Sequence, residues 1–206
     1  MASQIAHVVY ALNFLKKSNR KTLNKKMFLL GCTFPDIIRT SDELSKEITH
    51  DKFDINLSFD KINSFNSGWK FHIYCDKNRE KILKKSFFYE IPDTKNGSYA
   101  ANKILEDILI YDEYKKHYKK IIPYFYNIPF LNINFIKQSI INKWYMTIAE
   151  YISEKPHEKS IRIMLKAFNT PNTQIEEIVT SINILKKNDR VVHTLSQLTK
   201  KILTPL

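Results

Sequence analysis

Apolar residues recur at helical spacing along most of the chain. In ASQIAHVVYALNFLKK, residues 2–17, Ile5, Val8, Val9, Leu12 and Leu15 form one stripe. Ser3 stands where a cap is needed and Lys16 and Lys17 lie at the negative end of the dipole, so the pattern predicts an amphipathic helix. Residues 27–30 predict a short helix stopped by Gly31. A turn follows at Phe34, Pro35 and Asp36, where the proline ring biases Phe34 away from helix and presents Asp36 from a fixed bend. From 39 to 65 the letters turn polar, RTSDELSKE and then THDKFDINLSFDK. They predict a long irregular connection, uncommon in a compact domain unless it is functional or carries short elements of its own. A central helix is predicted over 63–88. Pro92 and the pair Asn96-Gly97 break the chain before a second long helix, SYAANKILEDILIYDEYKKHYKKII, which is expected to stop near Pro123. Residues 132–153 and 156–168 predict two more helices, with Trp144, Tyr145 and Ile148 as core candidates and Pro156 at a helix start. After a turn at 169–172, the last two helices are predicted at 173–187 and 189–203.

Composition narrows this pattern to a class. At 206 residues and 43% hydrophobic, the chain can build one substantial core and does not require two. A single domain over 1–206 is expected, with chemistry-bearing residues concentrated in 1–125 and a helical remainder over 130–206. Only three glycines, and no regular NG or DG turns between alternating apolar runs, argue against a β sandwich or barrel. All-α is the expected class. The formal charge of +12 raises the question of nucleic acid or anionic lipid. The basic residues are spread from Lys16 to Lys201 without a stripe or recognised binding motif, so dedicated nucleic-acid binding is not expected and general attraction to phosphate or an anionic surface is. Cys32 and Cys75 make no disulfide framework, no cleavable apolar segment precedes the first helix, and no run nears the roughly 18 apolar residues of a membrane span. A cytoplasmic location follows as an expectation.

Candidate chemistry centres on GWKFHIYCDKNR, residues 68–79. In a helix His72 and Asp76 lie one turn apart on one face and can grip a single ion, while Phe71, Ile73 and Tyr74 make the helix apolar on nearly all sides. Mutual hydrogen bonding of a buried pair explains the same letters. His7 lies beside the apolar stripe of the first helix and should face inward, as a ligand or as a core histidine bonded to a carbonyl. Asp36 is either a site residue or a cap, and His50 sits in the polar connection. Three imidazoles and two carboxylates form a borderline-hard set suited to one or two Zn²⁺ ions, with Fe²⁺ or Mn²⁺ as substitutes. The acidic group Glu106, Asp107, Asp112 and Glu113, with His117 four residues past Glu113, either supplies further ligands or forms a charged helix surface. His157 reads as a first-turn surface residue and His193 as a packing residue.

The order IAHVVYA, FLLGCTFPDI, a TH in a loop and GWKFHIYCD resembles the zinc-dependent phospholipase C family and its small intracellular relatives, over about the first 80 residues. The resemblance implies a bundle of α-helices of the phospholipase C and P1 nuclease type. It implies zinc on the residues matching His7, His50, His72 and Asp76, and an aspartate at the reacting water in the position of Asp36. The secreted members use the amine of a processed N-terminal tryptophan as a ligand, whereas this chain starts MASQ, and they carry a further His, His and Glu group soon after the central helix. Here the next histidine after Asp76 is His117, with Glu106, Asp107 and Glu113 as the available substitutes. A second match is looser: His7, His50-Asp51 and Asp76 imitate the order of the HD phosphohydrolases, also all-α and metal-dependent, with Asp51 then a ligand. That match leaves FPD and the HxxxD of the central helix unexplained.

The expectation is a zinc-dependent hydrolase in which a metal-activated water attacks the phosphorus of a lipid or nucleotide ester. A helical protein that binds metal or a partner without turnover is the alternative.

Overall fold

The computed structural model describes residues 3–18, 22–40, 44–50, 53, 58–59, 62–95 and 99–203. Among them every regular element is helical. The order is α1 (Gln4–Ser18), α2 (Lys25–Thr33), a 3₁₀ turn (Pro35–Thr40), α3 (Lys46–His50), α4 (Ser64–Lys85), a second 3₁₀ turn (Phe88–Glu90), α5 (Pro92–Lys95), α6 (Tyr99–Tyr126), α7 (Gln138–Ser153), α8 (Glu158–Ala167), α9 (Asn172–Leu185) and α10 (Asp189–Lys201). The all-α expectation holds. One apolar cluster runs from Ile5 on α1 to Ile202 just after α10. No helix among the described residues is long and apolar enough to cross a membrane.

α1 departs from the amphipathic reading. Every residue from Gln4 to Ala11 is buried, because α2, α4, α6 and α10 enclose the first two turns. Polar side chains there must find partners inside the protein. The backbone N–H of Ala6, unsatisfied within the helix, donates to Asp107 Oδ1 on α6 at 2.8 Å, so the start of α1 is capped by a carboxylate 101 positions away.

Gly31 does not stop α2. A Cβ there would lie 1.9 Å from the carbonyl oxygen of Phe65, and one at Gly68 would lie 2.0 Å from that of Phe28. The two glycines let the backbones of α2 and α4 touch, and this contact sets the depth at which α4 presents its residues. Asn24 and Asn63 cap the two helices, accepting from the N–H groups of Met27 and Asn66. α7 closes the far side of α2: Trp144 Nε1 donates to the Thr33 carbonyl at 3.2 Å and the Tyr145 hydroxyl to that of Leu30 at 2.8 Å.

Other boundaries moved for identifiable reasons. Pro123 lies inside α6, near its end, where it removes one backbone hydrogen bond while the helix runs on for only three more residues. α7 begins at Gln138, whose side chain accepts from the Leu131 N–H in the preceding non-helical stretch. α4 ends at Lys85, with Phe87 in the left-handed region at φ 55°. Pro92 opens the short α5 instead of only breaking the chain, while Asn96 and Gly97 lie outside the described residues. The polar connection carries α3, and His50 is its last residue. On α10 His193 is exposed, contrary to the packing role expected of it, because Val191, Leu195 and Leu198 form the buried face.

Candidate metal centre

Four elements send side chains to one point. α1 contributes His7, the 3₁₀ turn Asp36, the end of α3 His50, and consecutive turns of α4 His72 and Asp76. All five are buried. His7 Nε2 lies 3.2 Å from Asp76 Oδ1, His72 Nε2 3.4 Å and His50 Nε2 3.8 Å from Asp76 Oδ2, and His50 Nε2 4.0 Å from Asp36 Oδ1. The rings of His7 and His72 stack with centroids 3.8 Å apart. Two sets of three ligand atoms have all members within 4.8 Å of one another: His7, His72 and Asp76, and Asp36, His50 and His72.

Except at His7, whose Nδ1 is also buried without a hydrogen bond, the outer nitrogens and oxygens are already committed. His72 Nδ1 lies 2.8 Å from the Cys32 carbonyl at the end of α2, an acceptor only, so in the neutral ring the proton is on Nδ1 and Nε2 keeps its lone pair. His50 Nδ1 meets the Thr49 hydroxyl at 2.8 Å, and Gln4 Nε2 donates to Asp36 Oδ2 at 2.7 Å. What remains is inward-facing and unsatisfied: His7 Nε2, His50 Nε2, His72 Nε2 and Asp36 Oδ1 are buried without an aligned hydrogen bond. The 3.2 Å approach of His7 to Asp76 is therefore a close electrostatic contact without hydrogen-bond alignment. Buried polar atoms are rarely left this way, and a cation could satisfy the three atoms of either set. The two candidate sets share His72, which has one free nitrogen. Both sets could therefore not be filled through His72 at the same time.

Electrostatics favour the neutral state for two of the three imidazoles. Burial, reinforced by His72, pushes His7 down to about 4, and burial with His72 does the same to His50. Both imidazoles are thus neutral at pH 7. For His72 burial is outweighed by the Asp76 carboxylate and the pKa rises, which favours a proton on Nε2 that a bound ion would have to displace. Burial opposes charge on Asp36 and Asp76, but Arg39 and His72 for the first, and His72 foremost for the second, hold both below the usual carboxylate range.

The remaining candidates lie elsewhere. Glu106 is taken by Arg79 Nε at 2.8 Å and by the Tyr10 hydroxyl, forming a buried charge pair bonded on both sides. Asp107 caps α1, and Glu113 and His117 line a separate cavity with Lys16 and Lys25. None of these four belongs to either set of ligand atoms. Asp112 is exposed and pairs with Lys155. Asp51 lies outside the described residues, as does any test of the HD dipeptide.

Several residues at the site carry no sequence signal. Gln4 orients Asp36, and Arg39 Nε stands 3.7 Å from Asp36 Oδ1. A cavity of about 620 Å³ reaches His50 and Asp76 and is lined also by Lys46, Lys77, Tyr99 and Lys103. A second cavity of about 680 Å³ beside Asn63, Trp69 and Phe135 contains no ionisable side chain and is remote in chemistry from the cluster. No protein-family model, curated protein or solved structure matches this chain.

Proposed function

We propose that the chain is a zinc-dependent phosphoester hydrolase with a phospholipase C and P1 nuclease-like helical bundle. One observation carries the reading: imidazole and carboxylate atoms from four separate elements converge, buried and without aligned hydrogen bonds, beside an accessible cavity. His7, His50, His72 and Asp76 would hold the ion, with Fe²⁺ or Mn²⁺ able to replace Zn²⁺ in such a set. What zinc supplies when bound is Lewis acidity, which brings the pKa of water toward about 7 and neutralises charge on phosphoryl oxygens. The chain does the positioning. The Cys32 carbonyl fixes the His72 tautomer, and Gln4 holds Asp36 with one oxygen turned inward to orient the attacking water. The walls from α1, α2 and α4 exclude bulk solvent from the cluster. Free buried thiols at Cys32 and Cys75 fit a reducing compartment such as the cytoplasm.

The test is hydrolysis of bis(p-nitrophenyl) phosphate and p-nitrophenyl phosphate by zinc-loaded protein. Turnover abolished by chelator and by His72→Ala is the expected result. Stoichiometric zinc without turnover on either ester would leave a metal-binding helical protein and overturn the hydrolase reading.

A further inference from the structure

Lys103 stands apart from the other lysines. It lies on α6 with 6% of its surface exposed, lines the cavity that reaches His50 and Asp76, and has no hydrogen bond or ion pair among the described residues. Its stem is buried while its ammonium opens onto the cavity with no carboxylate held against it, so the cavity is short of an anion at that point. Its charged surroundings do not supply one: Arg39 and Arg79 repel it, and the attractive carboxylates Asp36 and Asp76 face the histidine cluster. Burial, then Arg39, depresses its pKa to about 8, the mark of an ammonium short of compensation. Glu80, the other carboxylate at the cavity, accepts from the Tyr89 hydroxyl at 2.7 Å and lies 3.5 Å from Lys84. The exposed Lys46 and Lys77 add positive charge at the rim.

We propose that this cavity binds a phosphomonoester dianion, with Lys103 as the clamp on its phosphoryl oxygens. The inference rests on the phosphoester reading above for the chemical nature of the anion. A cation in the cluster and three ammonium groups around one cavity favour a doubly charged group over the single charge of a diester or a zwitterionic headgroup. Lys103 is then a substrate-binding residue, and the lysines of the rim draw the anion in.

Calorimetric titration of the full chain near pH 7, as purified and after chelation, with inorganic phosphate, methyl phosphate and dimethyl phosphate tests this directly. Phosphate and methyl phosphate should bind to both forms, and dimethyl phosphate at least about tenfold more weakly, since it cannot carry the second charge that methyl phosphate mostly carries, and phosphate carries in part, near pH 7. Lys103→Met should weaken phosphate binding about ten- to a hundredfold, the range for a charge-assisted hydrogen bond. Lys103→Arg should restore part of it, and the exposed Lys159→Met should change it less than about twofold. The melting temperature of Lys103→Met should stay level or rise, because no structural partner is lost. Unchanged phosphate binding in Lys103→Met, a fall in its melting temperature or failure to fold, equal binding of dimethyl phosphate, or no phosphate binding by the parent chain would each overturn the proposal. Binding that meets these expectations in a protein without turnover would leave the clamp standing and remove the hydrolase reading alone.

Discussion

Asp36 and Asp76 are both buried and both held ionised, but their partners differ. Asp36 is tied on one oxygen by Gln4 and faces Arg39, whereas Asp76 sits between His7 and His72. Asp36→Asn should therefore keep metal and melting temperature while turnover falls about 10²- to 10⁴-fold. Asp76→Asn should lose metal first, and equal metal loss in the two variants would place Asp36 among the ligands. Asp107 provides a pH test away from the cluster. Burial, with Glu106 adding to it, lifts its pKa from 3.8 to about 7 against the Ser3, Ala6 and Tyr151 contacts that favour the anion. The folded value exceeds the unfolded one, so this group's contribution is fully present below about pH 3.8 and is lost as pH rises through about 7, with a limit on the order of 4 kcal/mol. Asp107→Asn can still accept from Ala6 and should flatten that part of the stability profile. Parallel melting curves for parent and variant over this window would contradict it. Four of the five clustered residues were legible because each sits in a short motif with a helical or turn signal, whereas His50 stood in a stretch read as irregular and its place at the end of α3 appears only in the fold. The roles of Glu106 and Asp107 were not legible, because Tyr10 and Ala6 lie 96 and 101 positions away and only the folded chain brings them together.

At the scale of elements, the α2–α4 contact positions the cluster. Gly68→Ala puts a methyl group into the backbone of α2, which overpacking would make costly by about 1–3 kcal/mol or more. It should also pull the Cys32 carbonyl away from His72 Nδ1, so melting temperature and metal affinity should fall together. Wild-type values for both would mean that the close crossing does not set the site. α3 has five residues, too few to hold as an isolated helix, and it depends on the Trp69 indole at the Thr49 carbonyl and on His50. Its amides should exchange faster once metal is stripped, and identical exchange with and without chelator would remove His50 from the ligands. Gly31 and Pro123 show why such features escaped a local reading. Both are helix-stopping residue types, yet one sits where two backbones touch and the other in a terminal turn.

Across the whole molecule, helical periodicity predicted the α class and most of the long elements, since burying an amphipathic face leaves its mark in the letters themselves. It did not predict that the first two turns of α1 would be enclosed on every side, which needs α10 to return from the far end of the chain. Enclosure is what makes the cluster demand a partner: solvent cannot satisfy His7, and the backbone has already taken the second nitrogen of His72. The central claim is that a metal ion does so. Elemental analysis of untagged protein, parent and His72→Ala side by side, tests it most directly. The expected result is about one zinc, iron or manganese per parent chain and loss of it in the variant, with a lower melting temperature because buried polar atoms are left unpaired. A parent chain without stoichiometric metal, or a His72→Ala variant that retains it in full, would contradict the claim.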